Sequence, residues 1–158
     1  MKLFNNHFCK KGFTLIEILI VVSIIGIIST ILMTSFSLFN KSEALDKDTD
    51  AVVESLAEAR SLTLASQDAS QYGVHFDMNK VTIFIGTVYS SSASTNKDIL
   101  LASTDTILTI SLTGGGSDVV FKRLTGETTQ NGTVIISSPN TSKTRTVTIY
   151  KTGVVESQ

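Results

Sequence analysis

The sequence predicts an α+β protein, in which one long N-terminal helix with a membrane-spanning first half packs on an antiparallel β-sheet domain. Two observations support this prediction. Phe13 to Met33 form an apolar run of 21 residues. After Asp68, short apolar segments alternate with polar residues and are separated by Gly and Asn, which is typical of strands. We therefore expect four segments: a leader at 1–12, a transmembrane helix at 13–33, its amphipathic continuation at 34–68 and a β-rich domain at 69–158.

The apolar run has the length of a membrane helix. A hydrocarbon core about 30 Å thick requires roughly 20 apolar residues in a helix. Ile and Val dominate the run, but it is far too long for one buried strand. Ser23, Ser29 and Thr30 can return their hydroxyls to carbonyls one turn earlier, which lipid tolerates. A cleaved secretory signal is the alternative, but no convincing Ala-x-Ala site follows the run.

The basic residues around the run predict its orientation. Lys2, Lys10 and Lys11 precede it and no acid does. The bias of positive charge toward the cytoplasm places the N-terminus inside and the remainder outside the cytoplasmic membrane. Without residues 1–12 the chain has 10 basic and 14 acidic residues, a net charge of −4. This acidity argues against a general nucleic-acid binder, because phosphate contacts need a basic surface.

Glu17 is the one acidic residue of the run. A carboxylate in a transmembrane helix costs about 2.5–3.5 kcal/mol, so it indicates a functional site and needs a partner. The run contains no Lys or Arg. Cleavage before Phe13 would create an α-amino group that is charged near neutral pH. This amine, on the same helix or a neighbouring one, is the partner we expect; the alternative is a Glu17 that snorkels to the headgroups.

The junction Lys10-Lys11-Gly12-Phe13-Thr14-Leu15-Ile16-Glu17 resembles the processing site of type IV prepilins and pseudopilins. The resemblance implies that a membrane prepilin peptidase cleaves between Gly12 and Phe13 and methylates the new amine of Phe13. It implies assembly with other pilin or pseudopilin subunits through an inner-membrane platform, giving a filament in the periplasm or at the cell surface. Gly26 matches a Gly frequent in these helices, whereas Thr34 stands where the family often has Pro.

The pattern beyond the run predicts the outer domain. The periodicity from Phe36 to about Ser66 predicts an amphipathic helix, whose apolar stripe consists of Leu45, Val52, Leu56 and Ala59. A hairpin turn at Asp77-Met78-Asn79-Lys80 and a polar loop at Ser90–Asn96 separate the first strands. The predicted strands are Tyr72–Phe76, Val81–Val88, Ile99–Leu101, Ile107–Leu112, Val119–Lys122, Thr133–Ile136 and Arg145–Tyr150. Their close spacing indicates antiparallel pairing without βαβ crossovers.

The outer domain also resembles, in outline, H-type minor pseudopilins and related minor pilins. The resemblance rests on Ala59-Arg60, Val120-Phe121 followed by Gly126, the stretch Gly132–Ile136, and Arg145–Ile149 before Gly153. It implies a structural subunit of a type IV pilus-like or type II secretion filament. The alternative is a minor pilin whose outer domain binds DNA for uptake, in which case the candidate basic patch is Lys122, Arg123, Lys143, Arg145 and Lys151.

No pattern in the sequence indicates an enzyme. His75 stands alone in a predicted strand, and Cys9 in the leader is the only cysteine, so we expect no catalytic, cofactor or metal site. Nothing in the sequence brings Asp105 and Asp118 together as a carboxylate pair. Asn131-Gly132-Thr133 and Asn140-Thr141-Ser142 fit the glycosylation sequon and are equally ordinary turn sequences.

Overall fold

A computed structural model describes residues 12–139 and 142–158, with the backbone alone at 34–38 and 41. It divides into two compact units, the first ending at Ser37 and the second comprising Leu38–Gln158. One long helix and two antiparallel sheets confirm the predicted α+β class. The elements are α1 (Leu15–Leu64), a 3₁₀ turn (Gln67–Ala69), β1 (Tyr72–Phe76), β2 (Lys80–Ile85), β3 (Lys97–Leu100), β4 (Thr106–Leu112), β5 (Asp118–Val120), β6 (Gly132–Ser138), β7 (Lys143–Ile149) and β8 (Val155–Ser157).

The first unit contains the apolar part of α1. Leu15–Met33 has a mean hydropathy of 2.8, is long and apolar enough to cross a membrane, and buries none of its length inside the structure. Its hydroxyls donate to carbonyls one turn earlier, as predicted: Ser23 to Leu19 at 2.8 Å and Ser29 to Ile25 at 2.7 Å. Thr30 donates likewise to Ile27. These bonds leave no hydroxyl of the three without an acceptor, which suits a lipid environment.

The second unit holds the hydrophobic core. The predicted stripe of α1, namely Leu45, Val52, Leu56 and Ala59, is fully buried. Each Val or Leu buried in this way contributes about 1.5–3 kcal/mol relative to exposure. The remaining residues of the cluster come from both sheets and from Leu101 and Phe121 at strand ends, so the helix is held by apolar contacts rather than by its own propensity. Periodicity alone therefore predicted the buried face of this helix correctly.

The strands form two four-stranded sheets rather than one. The orders are β3-β2-β1-β5 and β4-β6-β7-β8, and every pair is antiparallel, as predicted. Alternate residues of β6 and β7 face the core, for example Val134, Ile136, Val147 and Ile149. The sequence analysis missed β8, since a three-residue edge strand with two polar residues carries no clear alternation.

The predicted extension of β2 to Val88 is wrong. The strand ends at Ile85, and Gly86 turns the chain with a φ of +113°, a conformation that favours glycine. Tyr89 then folds back and stacks on the His75 ring at a centroid distance of 3.8 Å. Phe84 lies beneath this loop, 1% exposed, on the sheet face opposite the main core. Polar loop composition gave no signal of this second, small apolar cluster.

Candidate functional site

The start of α1 is capped by a side chain that the sequence analysis did not single out. The helix begins at Leu15, and Thr14 Oγ1 accepts the backbone N–H of Glu17 at 3.3 Å. A Thr three residues before a Glu is the spacing of a capping box, which was the signal available in the sequence. Glu17 consequently lies in the first helical turn, where unpaired N–H groups and the helix dipole favour a carboxylate.

The Glu17 carboxylate is exposed at the surface of the first unit. Within residues 12–139 and 142–158, no cation lies within ion-pairing distance of Glu17. The ion pairs of that part of the chain all lie in the second unit: His75–Asp118, Lys80–Asp98, Lys97–Glu58 and Arg145–Asp46. The described residues therefore supply no cation to Glu17.

Gly12 and Phe13 are accessible in the structure. The Phe13 side chain is 79% exposed. A Cβ added at Gly12 would meet nothing within 4 Å, and the backbone there is not in the left-handed region. Within the described residues, no contact therefore requires a glycine at this position. The residues before it, including Lys10 and Lys11, lie outside the described part of the chain.

Lys122 and Lys151 lie on neighbouring backbone segments. The Lys122 N–H donates to Glu127 at 2.8 Å, and the Thr128 N–H donates to Lys151 at 2.9 Å. Both lysine side chains are exposed, and the equally exposed Glu127 stands on the segment between them. Arg123 points elsewhere, since its guanidinium donates to the carbonyl of Ala69 at 2.8 Å. A negatively charged residue, Glu127, therefore lies on the segment between the two lysines.

Lys143 and Arg145 lie at the other end of β7. Eight residues separate Lys143 from Lys151, which corresponds to roughly 26 Å along an extended strand. Arg145 forms an ion pair with Asp46 at 2.8 Å, and Lys143 donates to Ser42 at 3.0 Å. The five candidate basic residues are thus distributed over the domain, and three of them already contact groups of their own chain.

The two aspartates considered in the sequence analysis lie in different places. Asp118 on β5 bonds to His75 Nδ1 at 2.5 Å, so this strand histidine is a packed residue with a carboxylate neighbour. Asp105 is buried just before β4, and its charge contributes to the raised pKa of the Asp48 carboxyl on α1. In the described residues, no three His, Cys, Asp or Glu side chains lie close enough to hold a metal ion. Asn140 and Thr141 of the second sequon lie outside the described residues.

The end of α1 meets two turns at Arg60, a convergence that local sequence patterns did not predict. Arg60 Nε donates to the carbonyl of Gly126 at 3.2 Å, and Nη2 donates to that of Thr152 at 3.3 Å. Gly126 and Gly153 have φ values of +65° and +75°. A Cβ at Gly153 would collide with the Gly126 carbonyl and with the Arg60 side chain. Residues 60, 126 and 153 therefore form one tightly packed junction.

Comparison with known proteins identifies the N-terminal segment. Residues 8–33 match the family model described as the prokaryotic N-terminal methylation motif. No curated protein and no solved structure matches the chain. The matched segment includes the Gly12-Phe13 junction, the cap at Thr14, Glu17 and the exposed apolar helix. The motif, together with this helix, supports a type IV pilin-like protein that is processed from a prepilin.

Proposed function

We propose that this chain is a minor pilin or pseudopilin, a structural subunit of a type IV pilus-like or type II secretion filament. The methylation motif at residues 8–33, located on a fully exposed apolar helix, is the observation that carries this proposal. Cleavage occurs between Gly12 and Phe13, and the amine of Phe13 is methylated. The N-terminus starts in the cytoplasm, and the second unit lies outside the membrane before assembly.

The exposed surface of α1 supports assembly through this helix. Its large apolar side chains between Leu15 and Met33 are each about half exposed or more. Such a surface is stable only in lipid or against other apolar helices. Gly26 has open space around it, with nothing within 4 Å of an added Cβ, so the fold does not require this glycine either. We assign it to close approach of a neighbouring subunit's helix.

Glu17 is assigned to pairing with the amine of a processed subunit. Its position in the first turn places the carboxylate one turn from the new terminus at Phe13. In an amine–carboxylate pair, the two opposite charges neutralise each other within the lipid, and the pair fixes the axial stagger of adjacent helices. The partners implied are the prepilin peptidase, other pilin or pseudopilin subunits and the inner-membrane assembly platform.

The junction at Arg60 supports the H-type assignment within this class. Three of the positions that carry the sequence resemblance, Arg60, Gly126 and Gly153, lie far apart in the chain and contact one another in the structure. The observed basic residues do not favour the DNA-binding alternative, because Arg145 and Arg123 bond to their own chain. We therefore propose the structural role alone.

Mass spectrometry of the protein purified from its native host tests the proposal. We expect an N-terminal peptide that begins at Phe13 and carries one additional methyl group. A chain that retains residues 1–12, or one that begins far downstream of Phe13, would contradict both the cleavage and the pilin-like assembly.

The variant Glu17→Gln separates assembly from processing. Loss of one charge from a buried pair costs about 2–5 kcal/mol, which predicts at least roughly 30-fold less subunit in sheared filaments. Cleavage at Gly12-Phe13 should remain near the parent level. Immunoblots of the filament and membrane fractions measure both quantities. Glu54→Gln, which removes an exposed charge from the second unit's part of α1, is the matched control. Parent-like filament yield of Glu17→Gln would exclude the pairing.

A further inference from the structure

Two carboxylates meet in the interior of the second unit. Asp48 on α1 is 9% exposed, and Asp105, just before β4, is 1% exposed. Asp48 Oδ2 accepts the backbone N–H of Ala102 at 2.8 Å. In the described chain, no donor reaches either oxygen of Asp105. A buried ionised carboxylate without a donor is strongly unfavourable, so this arrangement requires neutralisation.

Ala102 lies between the two residues, since its N–H donates to Asp48 Oδ2 and its carbonyl accepts the Asp105 N–H at 2.9 Å. The Asp48 carboxyl is within hydrogen-bonding reach of the Asp105 side chain. Two ionised carboxylates cannot hydrogen-bond to each other, but a carboxyl and a carboxylate can, since the first then supplies an O–H donor. We propose that Asp48 and Asp105 share one proton, and that this carboxyl–carboxylate bond fastens the segment between β3 and β4 to α1 as a pH-sensitive link. The proposal concerns the second unit alone and does not depend on filament assembly.

The direction in which the pKa of Asp48 is shifted supports the shared proton. Burial raises the pKa of this carboxyl, the N–H of Ala102 opposes the rise, and the charge of Asp105 adds to it. The folded state therefore holds the proton to a higher pH than the unfolded state. For a raised pKa, the stabilisation is complete below the ordinary value of about 4 and is lost as pH rises through the folded-state value.

The neighbouring elements provide no cation to this pair in the described chain. On α1, Lys47 is exposed and Asp46 is paired with Arg145. Neither β4 nor β6 contains a charged residue. Glu43 and Asp50, on the same part of α1, are exposed acids. Charged groups on the neighbouring strands and turns include Asp77, bonded to the Met78 N–H, Lys80 with Asp98, Lys97 with Glu58, and Lys143 with Ser42.

A divalent cation is the competing occupant of this pair. Calcium takes about 6–8 oxygen ligands, and magnesium keeps several of its waters. The described residues bring two carboxylates together here and no third acidic or histidine side chain. The side chain of Asp105 is also too deeply buried to leave space for coordinated waters. A shared proton satisfies the pair with the groups that are present.

Thermal unfolding of the full chain in detergent micelles, measured from pH 4 to pH 8, tests this link. The three tyrosines, Tyr72, Tyr89 and Tyr150, all lie in the second unit, so near-UV circular dichroism reports on its unfolding. Asp105→Asn gives Asp48 a permanent amide donor. We expect the Tm of this variant to exceed that of the parent by about 4 °C at pH 7, with the excess vanishing near pH 4.

Two further variants distinguish the shared proton from a general effect of removing a negative charge. Asp48→Asn keeps an acceptor for the Ala102 N–H and should show the same pH-dependent gain. Asp50→Asn removes an exposed charge from the same helix and should change the Tm by no more than about 1 °C at any pH. The difference from the parent is the quantity compared, because all groups outside the pair are the same in each Asp48 or Asp105 variant and the parent. A lower Tm of both Asn variants at pH 7 would overturn the proposal, as would a parent Tm that rises with calcium and falls with chelator.

Discussion

Gly12→Val is expected to leave most of the precursor uncleaved. In an apolar enzyme subsite, misfits of one or a few methylenes reduce specificity constants about 10- to 200-fold, and we expect a decrease in this range. Within the described residues, a Cβ at Gly12 would meet nothing within 4 Å, so we expect the effect to arise in the peptidase subsite. The ratio of precursor to processed chain, measured by mass spectrometry after co-expression with a prepilin peptidase, gives the effect directly.

Gly26→Val is the matched control for this experiment. Gly26 also has open space around it, but it lies within the apolar helix, away from the cleaved bond. We expect parent-like cleavage of this variant, even if its helix packs less closely in a filament. Equal cleavage of Gly12→Val and the parent would show that the peptidase does not read position 12, and the assignment of the junction would then fail.

The helix was the part of the fold that sequence patterns predicted best. The predicted bounds, 13 and 66, lie two residues outside those of α1 at each end, and the stripe of Leu45, Val52, Leu56 and Ala59 is buried as expected. Both features follow from interactions within four residues along the chain, which periodicity records directly. The strand positions followed from alternation in the same way, with errors mainly at their ends.

The arrangement of the strands was not predictable from the same signals. Alternation shows that Val134 and Ile136 share a face, but it does not show which sheet they join. The division into two sheets depends on pairings between distant segments, such as β4 with β6 and β1 with β5. Contacts between distant segments also explain two other features that the sequence did not predict. These are the contact of Arg60 with residues 126 and 152 and the proximity of Asp48 to Asp105.

For the candidate site, the sequence contributed more than the structure did. Gly12, Phe13 and Glu17 could be proposed from the sequence because they lie in one contiguous segment, which is part of the matched methylation motif. The structure added the Thr14 cap and the exposure of the helix, and neither requires a long-range contact. The roles of these three residues remain predictions, which the N-terminal mass and the two variants at positions 12 and 17 test.

Gly153→Ala is expected to destabilise the second unit by about 2–5 kcal/mol. An alanine at a φ of +75° costs about 1–2 kcal/mol, and the added methyl must also displace the Gly126 carbonyl and the Arg60 side chain, for about 1–3 kcal/mol more. Backbone cannot rotate away as a flexible side chain can. Urea unfolding of the full chain in micelles, followed through its tyrosines, measures the loss.

Gly115→Ala isolates the collision from the backbone strain. Gly115 has a φ of +74°, almost the value at Gly153, but nothing lies within 4 Å of its added Cβ. This variant should lose only the conformational part, about 1–2 kcal/mol. If both variants lose the same amount, the collision at Gly153 relaxes without cost, and the contacts among residues 60, 126 and 153 are looser than the structure indicates. A larger loss at Gly153 places the difference in the Arg60 junction itself, because φ is matched and only the surroundings differ.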